Sequence, residues 1–122
     1  MKTLNLFITV LLVFGLVESV TAQTHDQSNM SKTSAKTESF KVLGNCSMCK
    51  DRIEKSARDE GATSASWDSK TQLLTVTYDP SKTNKDALAR KIASAGHDTE
   101  KFKAPDDVYA KLPGCCHYER GK

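Results

Sequence analysis

The sequence has few of the features that announce a catalyst. Its 122 residues contain no catalytic triad, no pair of acid/base carboxylates and no phosphate-binding glycine loop. Ser47 has no His–Asp pair near it to make a nucleophile. The charge balance is mild: 18 Lys+Arg against 15 Asp+Glu leave +3, too little to argue a nucleic-acid-binding stripe. Four cysteines are too sparse for a disulfide-dense scaffold. The length holds at most one modest domain. What remains is a small chain whose function rests on a few residues.

The apolar residues are unevenly spread. One positive charge, Lys2, precedes a run from Leu4 to Val17 broken only by Asn5, Thr9 and Gly15, and Val20-Thr21-Ala22 closes it with small residues. That is the shape of a secretory signal peptide over residues 1–22, cut after Ala22. The run is shorter than the ~20 residues of a membrane span. No cysteine follows it closely, so no lipid anchor is expected. The expectation is a secreted, periplasmic protein without membrane contact after cleavage, in a compartment where thiols can oxidise. Residues 23–38 lack aromatics and hold one large apolar residue, Met30, and so read as a disordered leader. His25 and Met30 there are soft or borderline ligand types that can touch copper, although lone residues in a disordered tail usually do nothing specific.

From Ser39 the pattern is that of a folded domain. Phe40 and Val42 alternate with polar residues as a short strand ending at Leu43-Gly44. Lys50–Glu60 is rich in helix formers and stops at Gly61. Ala62–Trp67 and Gln72–Tyr78 read as strands joined by a hairpin-like turn, with Leu74, Val76 and Tyr78 on one face. A second helix starts at Thr83 or Asn84, carries Leu88 and Ile92 on one face, and ends at Gly96. Thr99–Phe102 is long enough for a last strand. The fold class is therefore α+β: a ferredoxin-like βαββαβ sandwich over 39–103, a four-stranded antiparallel sheet with two helices on one face. The expected core is Phe40, Val42, Ile53, Ala57, Ala62, Ala65, Trp67, Leu74, Val76, Tyr78, Leu88, Ile92 and Phe102.

The chemistry concentrates at the first strand-to-helix turn, Cys46-Ser47-Met48-Cys49. A C-x-x-C at a helix start lets both sulfurs face one point, and the positive helix end favours thiolates. Two converging thiolates suit a soft ion: Cu(I) first, with Ag(I), Hg(II) or Zn(II) as alternatives. Cys49 shares the Ile53/Ala57 helix stripe and should be the shielded sulfur, Cys46 the exposed one. Lys50, Arg52 and Lys55 could depress the thiol pKa values or meet an acidic partner. The same motif also serves redox dithiols and inert disulfides, but a redox C-x-x-C normally sits in a thioredoxin-like pattern.

The stretches SFKVLGNCSMCKDRIEKSA, VTYDPSKTN and ASAGHDTEKF together resemble the heavy-metal-associated domain family, which includes copper chaperones and the periplasmic mercury-binding protein. The resemblance implies a βαββαβ fold, one ion held by Cys46 and Cys49, and transfer by ligand exchange to another such domain. This chain departs from the family's Gly-Met-Thr-Cys-x-x-Cys: Gly44-Asn45 meets Cys46 one residue early, and the methionine, Met48, falls inside the motif. Met48 then either plugs the core, the favoured reading, or offers a thioether. His97 stands where the family has a residue facing the motif loop. It is either a near-site imidazole or an exposed loop histidine.

The extension 104–122 opens with a short helix signalled by Ala104-Pro105-Asp106-Asp107 and broken by Pro113-Gly114. Then come Cys115, Cys116 and His117. They are either structural cysteines or a second thiol set that joins the main site, holds a second ion, or exchanges with an oxidised Cys46–Cys49 pair. The leading expectation is a metallochaperone or metal carrier, not an enzyme, that docks transiently on a metal-transport or efflux protein. Its rivals are a thiol–disulfide oxidoreductase using both cysteine pairs, and an adaptor with a structural metal.

Overall fold

A computed structural model describes residues 34–121. The expected signal segment, 1–22, and most of the expected leader, 23–38, lie outside the described residues. The elements are β1 (Lys36–Lys41), α1 (Ser47–Asp59), β2 (Ala62–Asp68), β3 (Leu73–Tyr78), α2 (Lys85–Ser94), α3 (Asp106–Ala110) and a 3-10 turn, Gly114–Cys116. Among the described residues the sheet is three-stranded and antiparallel, in the order β1-β3-β2.

The sheet's inner face follows from residue alternation. Phe40, Trp67, Leu74, Val76 and Tyr78 are all buried, and Phe40 and Trp67 both sit opposite Leu74 in the register. Each such side chain contributes about 1.5–3 kcal/mol on burial. Onto them pack the helix stripes Cys49–Ile53–Ala57 of α1 and Leu88–Ala89–Ile92 of α2. Asn84 caps α2, its side-chain oxygen accepting from the Ala87 N–H at 2.9 Å. Gly96, at φ +112°, turns the chain out of α2.

Several expected boundaries shift. β1 begins at Lys36, three residues before Ser39, because Thr37 and Ser39 pair their hydroxyls with Thr77 and Thr75 at 2.9 Å each. Leu43 and Gly44 have left the strand. Helix α1 starts at Ser47, three residues before Lys50, so Cys49 lies inside it. Ala65 and Phe102 are only partly buried beside the core.

The fourth strand is the main correction. Thr99–Phe102 forms a single bridge, Val42 to Thr99, rather than a strand. The chain turns there instead: the Thr99 N–H donates to the Phe102 carbonyl at 2.8 Å, and the Phe102 N–H donates to Thr99 Oγ1 at 2.9 Å. Asp98, just before, is committed to Ala104 and Arg120. The ferredoxin-like plan holds, with its fourth position beside β1 reduced to one residue pair.

Candidate metal centre

The motif loop is shaped from beneath by Trp67. Its indole N–H donates to the Val42 carbonyl at 2.9 Å, which holds the ring under Gly44. A Cβ at Gly44 would stand 2.9 Å from that ring and 3.1 Å from the Cys49 Cβ. The Gly44 N–H also donates to Gln72 Oε1 at 3.0 Å. Cys46 then takes the N-cap position of α1 in extended backbone, and Cys49 sits in the first helical turn. That turn carries no acidic side chain, so the positive helix end stays available to the sulfurs.

The tail comes back over this loop. Cys46 Sγ lies 3.5 Å from Cys49 Sγ, 3.4 Å from Cys116 Sγ and 3.3 Å from Cys115 Sγ. The sulfurs of Cys46, Cys49 and Cys116 all fall within 4.8 Å of one another. All four thiols are free. Cys49 and Cys116 are fully buried, Cys46 is half-buried and Cys115 is exposed. Cys49 is thus the more shielded sulfur of the motif and Cys46 the more exposed, as the helix stripe implies, with a second shielded sulfur, Cys116, beside them.

The thiols titrate differently. Burial works against the Cys46 thiolate, but the Cys49 backbone N–H and the thiols of Cys115, Cys116 and Cys49 stabilise it, bringing its pKa down to about 6. Burial pushes Cys49 up to about 12, and the negative sulfur of Cys46 is better served by a neutral neighbour. The contact with Cys46, burial and the neighbouring Cys116 sulfur raise Cys115 to about 11. A Cys46 thiolate beside the protonated thiols of Cys49 and Cys115 is ready for an ion, and a thiol that joins the site gives up its proton as it binds.

Tail placement depends on residues the sequence reading passed over. Tyr118, buried, donates its hydroxyl to the Gly96 carbonyl at 2.8 Å and accepts the Asp98 N–H at 2.8 Å. Arg120 grips Asp98 through two bonds of 2.8 and 2.7 Å and also bonds Asp106 and the Ala104 carbonyl. Asn45 Nδ2 donates to the Cys115 carbonyl at 3.3 Å. Leu112 fills the space over Gly96. Cys116, Tyr118 and Arg120 recur at every second residue, the one sequence signal of an extended segment with an inward face.

Three candidates move from their expected places. Met48 is not a core plug: it is 48% exposed, because the buried stripe of α1 runs through Cys49, Ile53 and Ala57 and leaves its neighbour outward. Its Sδ lies 3.6 Å from Cys115 Sγ. His97 is not an exposed loop residue but is fully buried. Its Nδ1–H donates to the Leu43 carbonyl at 2.9 Å, its Nε2 faces Arg52 Nη1 at 3.4 Å, and its ring stacks on Tyr118. Burial lowers its pKa, partly opposed by the Leu43 bond, and the Arg52 charge lowers it further. His97 is thus a neutral buttress one residue away from the sulfurs. His117 is exposed and packs on Tyr109, outside the sulfur cluster. Of the three nearby cations, Arg52 alone faces the site, with Nη1 3.4 Å from Cys116 Sγ. Lys50 and Lys55 pair with Glu54 and Asp59. A groove of about 640 Å³ along α2, lined by Asn84, Asp86 and Arg90 among others, carries no sulfur or imidazole.

Residues 45–98, which hold both motif cysteines and the two helices packed behind them, match the family described as heavy-metal-associated domain. This chain carries a heavy-metal-associated domain. The match ends before Cys115 and Cys116. A copper-exporting P-type ATPase of Staphylococcus saprophyticus subsp. saprophyticus is 39% identical over 64 residues, which is 51% of this chain but 8% of the ATPase. Among solved structures, the CopZ metallochaperone superposes with TM-score 0.50 at 29% identity, covering 52% of this chain and 98% of CopZ. Oxidized MerP from Ralstonia metallidurans CH34 gives 0.51 at 28% identity, covering 55% and 96%. The soluble region of the P-type ATPase CopA from Bacillus subtilis gives 0.50 at 33% identity, covering 53% and 44%. The matched segment is thus a heavy-metal-associated, metal-binding domain, and the chain spans only a small part of the ATPase it matches.

Proposed function

We propose that this chain is a periplasmic carrier that takes Cu(I) as its cargo and passes it to a transport or efflux protein. The observation that carries this reading is the convergence of the Cys46, Cys49 and Cys116 sulfurs within 4.8 Å at a positive helix end. Three thiolates form a soft, electron-rich donor set suited to Cu(I) rather than to hard cations. Arg52 and the helix end offset the negative charge that three thiolates bring. The apolar leader at residues 4–17 supports export. The copper-exporting ATPase relative supports a P-type ATPase domain as receiver.

Transfer is ligand exchange. A receiver thiolate approaches half-buried Cys46, its sulfur forms a bond to the ion, and the Cys46–ion bond breaks. Copper stays Cu(I) throughout, and each bond lost is replaced by one formed. The buried sulfurs of Cys49 and Cys116 hold the ion until a second receiver thiolate arrives.

Anaerobic competition against a chromogenic Cu(I) chelator tests the reading. Wild type should compete, and Cys46→Ser/Cys49→Ser should bind about a thousandfold more weakly or worse, since two of three thiolate bonds are gone. Equal affinity in that variant would refute the site. Fractionation of the native host should find the protein in the periplasm, and mixing the loaded chain with a soluble ATPase metal domain should move copper to that domain.

A further inference from the structure

The fourth thiol does not fit into a one-ion site. Thiolate sulfurs stand about 2.3 Å from such an ion, so two sulfurs sharing it lie at most about 4.6 Å apart. Cys46 lies 3.5 and 3.4 Å from Cys49 and Cys116, inside that limit, and these three sulfurs all approach within 4.8 Å of one another, whereas Cys115 falls outside that set. Cys115 nevertheless lies 3.3 Å from Cys46, and on its other side 3.6 Å from the thioether of Met48. Among the described residues, the Cys46 sulfur lies within 3.5 Å of three other sulfurs, those of Cys49, Cys115 and Cys116.

We propose that the chain holds two Cu(I) ions, not one, in a pair of adjoining sites bridged by the Cys46 thiolate. The inner ion is held by Cys46, Cys49 and Cys116. The outer ion is held by Cys46, Cys115 and the Met48 thioether. Thiolate is a natural bridge because one sulfur offers more than one lone pair, and thioether is a soft donor suited to Cu(I). The two sites differ in exposure: Cys49 and Cys116 are fully buried, whereas Met48 and Cys115 face solvent. Two Cu(I) and four thiolates carry two net negative charges, which the Arg52 guanidinium and the positive end of α1 partly offset. The packing of α1 turns Met48 outward, and the seat of the tail through Tyr118 and Arg120 brings Cys115 to 3.6 Å from its thioether.

The inference rests on the copper-carrier reading, and the experiment separates the two. The full chain is loaded anaerobically with Cu(I) against a competing chelator and read by native mass spectrometry and X-ray absorption. Two coppers per monomer, with a short copper–copper vector, are expected. Cys115→Ser/Met48→Leu, which changes only exposed side chains, should reduce the stoichiometry to one and abolish that vector. A single copper per wild-type monomer overturns the two-ion centre while leaving the carrier standing. So does a second copper found only in dimers, or two coppers retained by the variant. Failure to bind any copper overturns both.

Discussion

Two cysteine pairs meet at one point, and they arrive there by opposite routes. Cys46 and Cys49 are placed locally: a glycine seated on Trp67, an extended N-cap residue and one helical turn position both sulfurs. Cys115 and Cys116 lie on a tail with one short helix and a 3-10 turn, and no local geometry aims them. Long-range polar contacts do so instead: Tyr118 on Gly96 and Asp98, and Arg120 on Asp98. The motif pair should therefore survive disturbance of the tail, whereas the tail pair depends on a few removable bonds.

The largest expected effect comes from breaking the tail's anchor. Asp98 is nearly fully buried, and Arg120→Ala leaves its carboxylate without the charge that holds it. Removing one partner of a buried pair costs about 3–5 kcal/mol; the partial exposure of Arg120 favours the low end. Urea unfolding measures the loss, and alkylation followed by peptide mass mapping should show Cys116 newly reactive with Cys49 still protected. An unchanged Cys116 would mean that the tail is held by its apolar contacts alone.

Two glycines sharpen the comparison at a smaller scale. Gly44→Ala puts a methyl 2.9 Å from the Trp67 ring and 3.1 Å from the Cys49 Cβ. Gly96→Ala, at φ +112°, strains the backbone and puts one 2.9 Å from Leu112 Cδ2. Each should cost about 1–3 kcal/mol in urea melts. They should fail differently: the first should weaken copper binding through Cys49, the second should loosen Cys116. Identical alkylation patterns in the two variants would remove the distinction between locally and remotely placed thiols.

The same division explains what the sequence made legible. The helix stripes, the β3 alternation, the Asn84 cap and the C-x-x-C at a helix start are all set by neighbours a few residues apart, and all are present. The errors fall where contacts across the chain decide. The fourth strand gave way to a turn because Asp98 is bound by Arg120, 22 residues on. Met48 turned outward beside a cysteine 67 residues away. Whether Cys116 joins the motif depended on a contact 70 residues apart, which no periodicity encodes. The alternation of Cys116, Tyr118 and Arg120 hinted at an inward face but not at what it would cover.

Acid should act on the tail's seat as well. The pKa of His97 is lowered in the fold, chiefly by burial, so its contribution to stability is complete above its ordinary value near 6.5 and is lost as pH falls toward and through the folded value. Burial works against the Asp98 carboxylate, but Arg120 and the Ala104 N–H outweigh it and hold the pKa below the ordinary carboxylate value. Its contribution is complete above that value and is lost at lower pH still. Urea midpoints should thus fall as pH drops below about 6.5. His97→Gln should flatten the upper part of that decline; an unaltered profile would mean that His97 is not the group being titrated.

The mildest perturbation leaves the fold untouched and asks which thiol reacts first. Exposure alone favours Cys115, the most accessible sulfur. Thiolate content favours Cys46, because its pKa is down at about 6 while that of Cys115 is up at about 11. Only the thiolate is nucleophilic, so at neutral pH the chemistry should outweigh the geometry. With limiting iodoacetamide on the metal-free protein, Cys46 should be modified first, at a rate that rises through about pH 6. Cys115 should follow only at much higher pH. Reaction at Cys115 first would show that Cys46 is not the resident thiolate. The negative sulfur that the other three thiols surround would then have to be sought in the tail, and the bridging role would pass to Cys115 or Cys116.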